Sequence, residues 1–369
     1  MADAPRRVCH ITTGHHIDDH RILGKECASL SAAGYDVTLI APAPPGTQRP
    51  GVRVVALETS TANRARRMVA RPLAAYRAAR DADADIYHFH DPDFLPQALR
   101  LARHGRRVIY DAHEDVPKQI LAKAWIRPIL RTPASWLAGH VELAVAGRMA
   151  AVVASVPPIV ERFRGHAPRV ALVANFPRLD EIAPGAFAER ERVACYVGDL
   201  SRVRGLVELI DAMEHVDGEL ELAGRFDSTF APSELETRPG WARVRYHGRV
   251  GRPEVAALLR RASVGVLPLR RSPNHAISWP VKLFEYMAAG LPVVATDVEP
   301  WNAIIAQHRC GLCVPPGDPR ALAAGIMRVL DDPGEARAMG ERGRAAAVAN
   351  YSWESQEAVL LGLYEELLQ

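Results

Sequence analysis

The sequence predicts an α/β protein of two domains, each with a parallel β-sheet covered by helices on both faces. The chain has 369 residues, which is more than one ordinary core holds and suits two domains of roughly 150–200 residues. Short apolar stretches alternate with helical patterns from end to end, as in parallel sheets with crossover helices. Between the two series, residues 176–192 are rich in proline and mixed charge and predict the linker.

The apolar stretches predict the strands of the two sheets. The first half has them at residues 7–13, 36–41, 52–57, 85–90, 106–112, 150–155 and 169–173, and the second at residues 193–197, 219–223, 244–247, 263–267 and 292–295. Helical patterns fill the gaps, and the last of them, residues 351–369, is amphipathic. We therefore expect domains at residues 1–180 and 190–350, followed by this last helix.

The composition is typical of a soluble globular protein, with 48% hydrophobic and 24% charged residues. The formal net charge of +3 gives the molecule no strong electrostatic preference for nucleic acid. The first residues lack the apolar core of a signal peptide, and no run of about 18 apolar residues could span a membrane. The five scattered cysteines suit reduced thiols. We therefore predict a cytoplasmic protein.

Two stretches suggest a metal ion at first sight. Residues 12–21 hold three histidines and two aspartates, but without the usual spacing of zinc ligands. Cys310 and Cys313 have zinc-like spacing, but no second pair completes four ligands, so we interpret them as two small buried residues beside a strand. The sequence therefore predicts no metal site.

The stretch from Trp279 to Asp297 is the most informative of the chain. Pro280 suits the first position of a helix that ends at Gly290, and the free amides and dipole at the start of such a helix attract phosphate. Lys282 adds a positive charge on the first turn. Glu285 lies on the same face three residues later, and its carboxylate can accept hydrogen bonds from two neighbouring hydroxyls, as in a ribose. These features outline a site for a nucleotide sugar.

The letters KLFEYMAAGLPVVA, which start at Lys282, resemble the donor-site helix of the retaining glycosyltransferases of the GT-B fold, family 4 (glycosyl transferases group 1). The resemblance implies two Rossmann-like domains whose parallel sheets face each other across a cleft, with a last helix that crosses back to the first domain. It makes the first domain the acceptor-binding domain and the second the donor-binding domain. Glu285 matches the final Glu of the family's Glu-x7-Glu motif. The first position of that motif, which contacts the donor sugar in the family, is Ile277 here.

A second candidate site follows the predicted strand 193–197. Gly198 ends this strand, Gly205 begins the next helix, and two arginines between them could clamp a pyrophosphate. The resemblance makes Arg204 the residue that binds the diphosphate. In the family a second arginine often follows the glycine at the end of this strand. Asp199 stands at that position here, and Arg202 could take the role of that arginine. A solvated basic loop is the alternative interpretation.

Three predicted strand ends of the first domain carry polar side chains. The resemblance implies that the loop with Gly14 and Arg21 meets the donor phosphates and the acceptor, and that His113 faces the transferred sugar. Glu114 and Asp115 could bind acceptor hydroxyls or act as a base, and His90 and Asp93 could line the acceptor cleft. Packing of His90 and loop capping by Asp91 are an equally good interpretation of the second strand end.

The predicted activity is the transfer of a sugar from a nucleoside-diphosphate sugar, with a uridine donor favoured by family habit, to a hydroxyl of a glycan, a glycolipid or a small molecule. His113, Arg204 and Glu285 are the predicted catalytic residues, and no metal or other cofactor is required. The configuration at the anomeric carbon is retained by front-face transfer. A sugar-nucleotide epimerase and a catalytically degenerate binding module are the alternatives. A dehydrogenase is disfavoured because no Gly-x-Gly-x-x-Gly follows the first strand.

Two segments suggest contact with the inner face of a membrane. Residues 63–80 carry six arginines and no acidic residue, and residues 124–131 mix apolar and basic side chains, with Trp136 following. Such mixtures suit an anionic lipid interface. A solvated face with ordinary core contacts is the alternative.

Overall fold

The computed structural model describes residues 5–59, 64–123, 126–227, 230–271 and 278–369. The chain divides into two compact units. The first unit comprises Met1–Asn175 together with Ser355–Gln369, and the second comprises Phe176–Glu354. Ile277, at the first position of the Glu-x7-Glu motif, and Trp125, in one predicted membrane segment, lie outside the described residues.

The described residues of the first unit form a seven-stranded parallel sheet in the order β3-β2-β1-β4-β5-β6-β7. The strands are β1 (Arg7–Ile11), β2 (Asp36–Pro42), β3 (Val52–Leu57), β4 (Ile86–Phe89), β5 (Arg107–Ala112), β6 (Ala151–Ala154) and β7 (Val170–Leu172). A π-helix, Ile22–Cys27, continues into α1 (Ala28–Ala32). The other helices are α2 (Arg64–Ala82), α3 (Leu95–Arg103), α4 (Val116–Ala122), α5 (Pro128–Ala146), α6 (Pro157–Phe163) and α14 (Trp353–Leu368), which belongs to this unit from Ser355 onward.

The described residues of the second unit form a six-stranded parallel sheet in the order β10-β9-β8-β11-β12-β13. The strands are β8 (Val193–Val197), β9 (Glu219–Ala223), β10 (Val244–Tyr246), β11 (Val264–Leu267), β12 (Val293–Thr296) and β13 (Gly311–Val314). The helices are α7 (Leu206–Met213), α8 (Ser233–Glu236), α9 (Arg252–Arg261), α10 (Val281–Ala288), α11 (Trp301–His308), α12 (Pro319–Asp331) and α13 (Pro333–Asn350).

In both sheets the strand order reverses beside the first strand, between β1 and β4 in one unit and between β8 and β11 in the other. The loops that leave such a pair of strands diverge, and the crevice between them at the carboxyl ends is where open α/β sheets bind ligands. The loop after Gly198 and the loop after Ile11 both start at such a switch point. The topology therefore places these two loops, which contain the predicted site residues Gly198 and Gly14, at the expected ligand-binding edge of each unit.

Every strand that the sequence predicts is present, with ends that shift by about two residues at most, and two-domain α/β architecture is confirmed. Strand β13 was not predicted, because it is short and three of its four residues are at least partly exposed. One of them, Cys313, is exposed, so the interpretation of both Cys310 and Cys313 as buried was wrong for Cys313.

The segment predicted as a linker packs with the second unit, which begins at Phe176 rather than near residue 190. The Phe176 ring is buried, with its centroid 4.7 Å from that of Phe284 on α10. The Trp353 amide donates to the Pro177 carbonyl at 2.8 Å, and the Trp353 side chain is fully buried. Burial of large aromatic side chains outweighs the loop-like composition of this segment.

Helix α10 begins at Val281, one residue later than predicted, because Pro280 adopts an extended conformation (φ −66°, ψ 118°) and serves as the N-cap. Gly290 ends the helix in the left-handed conformation, with φ +66°, as predicted. None of the helices among the described residues combines the length and the apolar composition that a membrane span requires.

Replacing Gly205 with alanine should strongly destabilise the second unit. Gly205 has φ +73°, and a β-carbon there would lie 1.7 Å from the carbonyl oxygen of Pro268. Left-handed backbone costs an alanine about 1–2 kcal/mol, and the forced backbone shift adds about 1–3 kcal/mol. Urea unfolding should show the loss. Gly317, with φ +80° and nothing within 4 Å of its β-carbon position, is the matched control. Equal losses in the two variants would contradict the steric argument.

Candidate functional site

In the second unit, Gly198 and Lys282 lie against each other at the carboxyl end of β8. A β-carbon on Gly198 would be 2.5 Å from both Cε and Nζ of Lys282. Gly198 also has φ +133°, a conformation that favours glycine. The glycine thus makes room for a lysine that stands on the first turn of α10. Two motifs that are distant in the sequence, one after β8 and one before β12, meet at this point.

Lys282 is in an environment that disfavours its own positive charge. Burial lowers the pKa of Lys282 to about 7, with a further contribution from the neighbouring positive charge of Arg204. Its Nζ lies 4.9 Å from the ring centroid of Tyr196, and the charges of Glu285 and Asp199 oppose the shift without cancelling it. No ion pair of Arg204 is found among the described residues. Two neighbouring basic groups at a sheet's switch point are suited to an anion.

The affinity of this site for an anion should decrease as the pH rises. With a pKa of about 7, the Lys282 amine of the free protein loses its proton above neutral pH, and a bound diphosphate raises that pKa. Binding therefore takes up a proton, and affinity for a nucleoside diphosphate should drop about tenfold between pH 6.5 and pH 8.5. Calorimetry at the two pH values measures this. Lys282→Met should bind more weakly and show little of the drop, whereas an equally steep drop in Lys282→Met would contradict the assignment.

Arg202 does not join this pair of basic groups. Its guanidinium forms an ion pair with Glu234 and lies 5.1 Å from the centroid of the Phe230 ring, and its side chain is 54% exposed. Arg202 and Arg204 stand in one 3₁₀ turn, so they project in different directions. Its partner in this structure is a carboxylate of α8, and Arg204 is the arginine that neighbours Lys282. Donor binding by Arg202 stays a prediction.

Glu285 is buried and is held by an arginine that the sequence analysis did not identify. Its Oε1 accepts a hydrogen bond from Nη1 of Arg252 at 2.6 Å, and Nε of Arg252 donates to Glu181 at 2.8 Å. A carboxylate offers about four acceptor positions, so Glu285 can keep Arg252 and still accept hydroxyl groups. The arginine fixes the orientation of the carboxylate. Arg252 lies 33 residues from Glu285 in the sequence, and no motif connects them.

In the first unit, Asp91 connects the loops that follow β1 and β4. Its Oδ2 accepts from Thr12 Oγ1 at 2.6 Å and from the Thr13 amide at 2.8 Å. Its Oδ1 lies 3.2 Å from Nδ1 of His15. A β-carbon on Gly14 would be 2.5 Å from the same oxygen. Gly14 therefore allows the loop to close over Asp91, which caps this loop as the alternative interpretation of the sequence has it.

His15 is a charged histidine that the sequence analysis did not single out. Burial alone would lower its pKa, but the hydrogen bond and charge of Asp91 outweigh burial and raise the pKa to about 9. His15 is therefore an imidazolium at neutral pH, paired with the Asp91 carboxylate. Asp93 stands nearby and accepts from Thr13 Oγ1. Burial raises the pKa of Asp93.

His113 follows β5 and lies beside His15, with 5.0 Å between the ring centroids. Burial, together with the His15 charge, lowers the pKa of His113 although Asp111 opposes the shift, so the ring is neutral at pH 7. Its Nδ1 has no hydrogen-bond partner among the described residues, and 17% of the side chain is exposed. A neutral imidazole at a strand end can bind a hydroxyl or phosphate oxygen. Glu114, next to it, is exposed.

Asp115 has a local structural role in the first unit. It is the N-cap of α4, where its side chain accepts from the Lys118 amide at 3.1 Å, and it forms an ion pair with Lys118 Nζ at 3.2 Å. Such a cap stabilises a helix by about 1 kcal/mol. Glu114 therefore remains the better candidate for an acceptor contact.

Arg21 and His90 lie in the interior of the first unit and not at its ligand-binding edge. Arg21 donates from Nε and Nη2 to Asp111 at 2.9 and 3.1 Å, and from Nη1 to the Val173 carbonyl at 2.9 Å. His90 lies 3.1 Å from the same carboxylate and is fully buried. The prediction that these two side chains contact the acceptor is therefore corrected, because both are buried and hydrogen-bonded to Asp111.

Two family models match the chain. Residues 21–177 match "Glycosyltransferase Family 4", and residues 191–332 match "Glycosyl transferases group 1". The chain belongs to the family 4 glycosyltransferases of the GT-B fold. It is 25% identical over 352 residues to the phosphatidyl-myo-inositol mannosyltransferase of Mycolicibacterium smegmatis, a match that covers 91% of this chain and 86% of that protein.

Solved structures share the GT-B fold of this family member. Sucrose-phosphate synthase of Thermosynechococcus elongatus superposes with a TM-score of 0.77 at 21% identity, covering 98% of this chain and 99% of the other. HepE of Anabaena in complex with UDP-glucose superposes with a TM-score of 0.72 at 13% identity, covering 98% and 99%. At these identities the likeness confirms the fold alone. The predicted family, fold class and glycosyltransferase activity are thus confirmed.

Proposed function

We propose that this glycosyltransferase moves a sugar from a nucleoside-diphosphate sugar to a hydroxyl of a cell-envelope glycolipid, with retention of the anomeric configuration. The observation that carries the proposal is the meeting of Lys282 and Arg204 beside Gly198 at the switch point of the second sheet. The name of the M. smegmatis relative supports a lipid-linked acceptor. The complex of HepE with UDP-glucose supports a uridine diphosphate donor.

The residues suggest how such a transfer would proceed. As the sugar leaves, negative charge grows on the diphosphate, and Lys282 and Arg204 would stabilise it. Glu285, oriented by Arg252, would accept the ribose hydroxyls. His113, neutral at pH 7, would bind the transferred sugar, and Glu114 the acceptor. We propose front-face transfer, in which the leaving phosphate takes the acceptor proton, so the protein supplies position and charge stabilisation and needs no metal or cofactor for the reaction.

The test begins with calorimetric titration of the purified protein with UDP, GDP, ADP and dTDP. Tight binding of one diphosphate identifies the nucleotide of the donor. Transfer from the corresponding nucleotide sugars to phosphatidylinositol or a related glycolipid is then followed by NMR of the product's anomeric proton. An α-linked product from an α-linked donor supports retention, and a β-linked product contradicts it. A donor sugar that changes configuration without an acceptor indicates an epimerase. No binding of any diphosphate indicates a degenerate module.

We also propose that helix α5 contacts an anionic membrane, where a lipid-linked acceptor would be found. Two of its apolar side chains, Ile129 and Trp136, are 83% and 64% exposed, and Leu130, Leu137 and Val141 are also exposed. Arg127 at the start of the helix is exposed, and Lys118 on α4 is partly exposed. Exposed apolar groups with basic neighbours suit the interface of an anionic bilayer. In the other predicted membrane segment, residues 63–80, the apolar side chains of Met68 and Val69 are also exposed.

Replacing Trp136 with serine should reduce membrane partitioning about tenfold or more, since burying a large apolar side chain is worth about 1.5–3 kcal/mol. Co-sedimentation with vesicles of phosphatidylglycerol and phosphatidylcholine measures the change. Val348, an apolar side chain on α13 that is 51% exposed, is the control, and Val348→Ser should leave partitioning unchanged. Absence of sedimentation by the unmodified protein, or equal loss in both variants, would contradict the proposal.

A further inference from the structure

Four ligand-type side chains meet in the interior of the first unit, beneath its ligand-binding edge. They are Glu26, His88, His90 and Asp111, and each offers one oxygen or nitrogen atom that lies within 4.8 Å of the other three. Each is at most 1% exposed. His88 and His90 are two residues apart at the end of β4, so they point to the same face of the sheet. Asp111 comes from the adjacent strand β5, and Glu26 from the helix after β1.

Some of these buried polar atoms have no hydrogen-bond partner among the described residues. They are Nε2 of His88 and both carboxylate oxygens of Glu26. Arg21 Nε lies 3.1 Å from Glu26 Oε1, and His90 Nε2 lies 3.8 Å from Glu26 Oε2. A buried polar group without a hydrogen bond costs about 1–3 kcal/mol, and more if it is charged. A bound water or ion is one explanation for such groups in native proteins.

Neighbouring side chains orient these ligand atoms. Nδ1 of His88 lies 2.8 Å from the Tyr364 hydroxyl, which leaves Nε2 as the atom available to a ligand. Nε2 of His90 lies 3.1 Å from Nδ1 of His10, and Nε2 of His10 lies 3.1 Å from the same hydroxyl. Histidines that bind metals commonly use one ring nitrogen for the ion and the other for such a support.

The spacing of the ligand atoms suits a small divalent cation. His90 Nδ1 and Asp111 Oδ2 are 3.1 Å apart, close to the roughly 3.3 Å that separates ligand atoms in a tetrahedral zinc site with bonds of about 2.0 Å. Asp111 holds Arg21 with both oxygens, but a carboxylate has about four acceptor positions. Arg21 lies against both carboxylates, and the buried Lys25 donates to Asn175 at 2.6 Å. A bound ion would therefore share Glu26 and Asp111 with Arg21.

We propose that Glu26, His88, His90 and Asp111 form a buried divalent-cation site in the first unit, with zinc as the preferred ion. Two imidazoles and two carboxylates are a donor set that favours zinc over magnesium or calcium. The site is built from the first unit alone, so it does not depend on the proposed donor site. The ion would tie β4, β5 and the helix after β1 together and has no part in the transfer reaction.

The site is tested with the full chain, freed of metal by a chelator and titrated with Zn²⁺ by calorimetry. We expect about one high-affinity ion per chain, and at least about 100-fold weaker binding in His88→Gln and in Glu26→Gln. His104→Gln, an exposed histidine of the same unit, is the matched control and should bind as the unmodified protein does. Binding that persists in His88→Gln and Glu26→Gln, or no binding by the unmodified protein, would overturn the proposal.

A second measurement decides the matter if the variants do not fold. Crystals of the unmodified protein grown with Zn²⁺ are measured on both sides of the zinc absorption edge, and the anomalous difference map locates the ion. A peak between the side chains of His88, His90 and Asp111 supports the proposal. A peak only at the histidines of residues 15–20, or no peak, refutes it.

Discussion

Replacing Arg204 with alanine is expected to weaken the binding of a nucleoside diphosphate by roughly 10- to 100-fold. The guanidinium lies close enough to Lys282 to lower the pKa of its amine, and no carboxylate pairs with Arg204 among the described residues. A hydrogen bond between an arginine and a phosphate is worth about 1.5–3 kcal/mol, which corresponds to that range of affinity. The loss should be equally large for inorganic pyrophosphate, because Arg204 is assigned to the phosphates and not to the nucleoside.

Arg202→Ala is the matched control for this prediction. Arg202 is two residues away in the same 3₁₀ turn but is paired with Glu234, and exposed ion pairs are worth about 0–1 kcal/mol. Its removal should change the dissociation constant by less than about fivefold. Calorimetry with the diphosphate that binds the unmodified protein measures both variants. If Arg202→Ala proved the more damaging, the arginine that matches the family motif would not be the one that binds the phosphates.

Most of the fold could be predicted from the sequence because its signals are local. Buried parallel strands read as short apolar runs, and every predicted run became a strand. Strand β13 was missed because an edge strand has a weak apolar pattern. The boundary near Phe176 was misplaced for the opposite reason: the segment has the composition of a loop, and its packing depends on aromatic contacts with Phe284, more than 100 residues away.

The candidate site was predictable in part. Lys282, Glu285, Gly198 and Arg204 stand in two compact motifs, and the topology of the sheet brings those motifs together. Polar residues at strand ends, in contrast, look alike in the sequence whether they face a crevice or the interior. His90 lies in the interior because His10 and Asp111 pack against it. The same hydrogen-bond network includes Tyr364, which contacts His88 from 276 residues away in the sequence. Pairs such as Arg252 with Glu285 have no sequence signal at all.

Replacing Glu285 with glutamine is expected to lower kcat/KM for the donor about 100-fold. The carboxylate would lose its charge toward two ribose hydroxyls, and hydrogen bonds to a charged group are worth about 1.5–3 kcal/mol each. The charge of Glu285 also raises the pKa of Lys282, so its removal should leave less of the lysine protonated. Because the carboxylate is assigned to the ribose, the affinity for a nucleoside diphosphate should fall much more than the affinity for inorganic pyrophosphate.

Glu181→Gln separates this role from that of Arg252. Glu181 contacts the same guanidinium at 2.8 Å but is partly exposed, so its loss should disturb Arg252 without removing a ribose contact. We expect a less than about fivefold change in kcat/KM, because a partly exposed ion pair contributes little. Equal losses in Glu181→Gln and Glu285→Gln would mean that Arg252, and not the Glu285 carboxylate, is the group that the donor requires. If Glu285→Gln bound pyrophosphate as poorly as Arg204→Ala does, Glu285 would be assigned to the phosphates and not to the ribose.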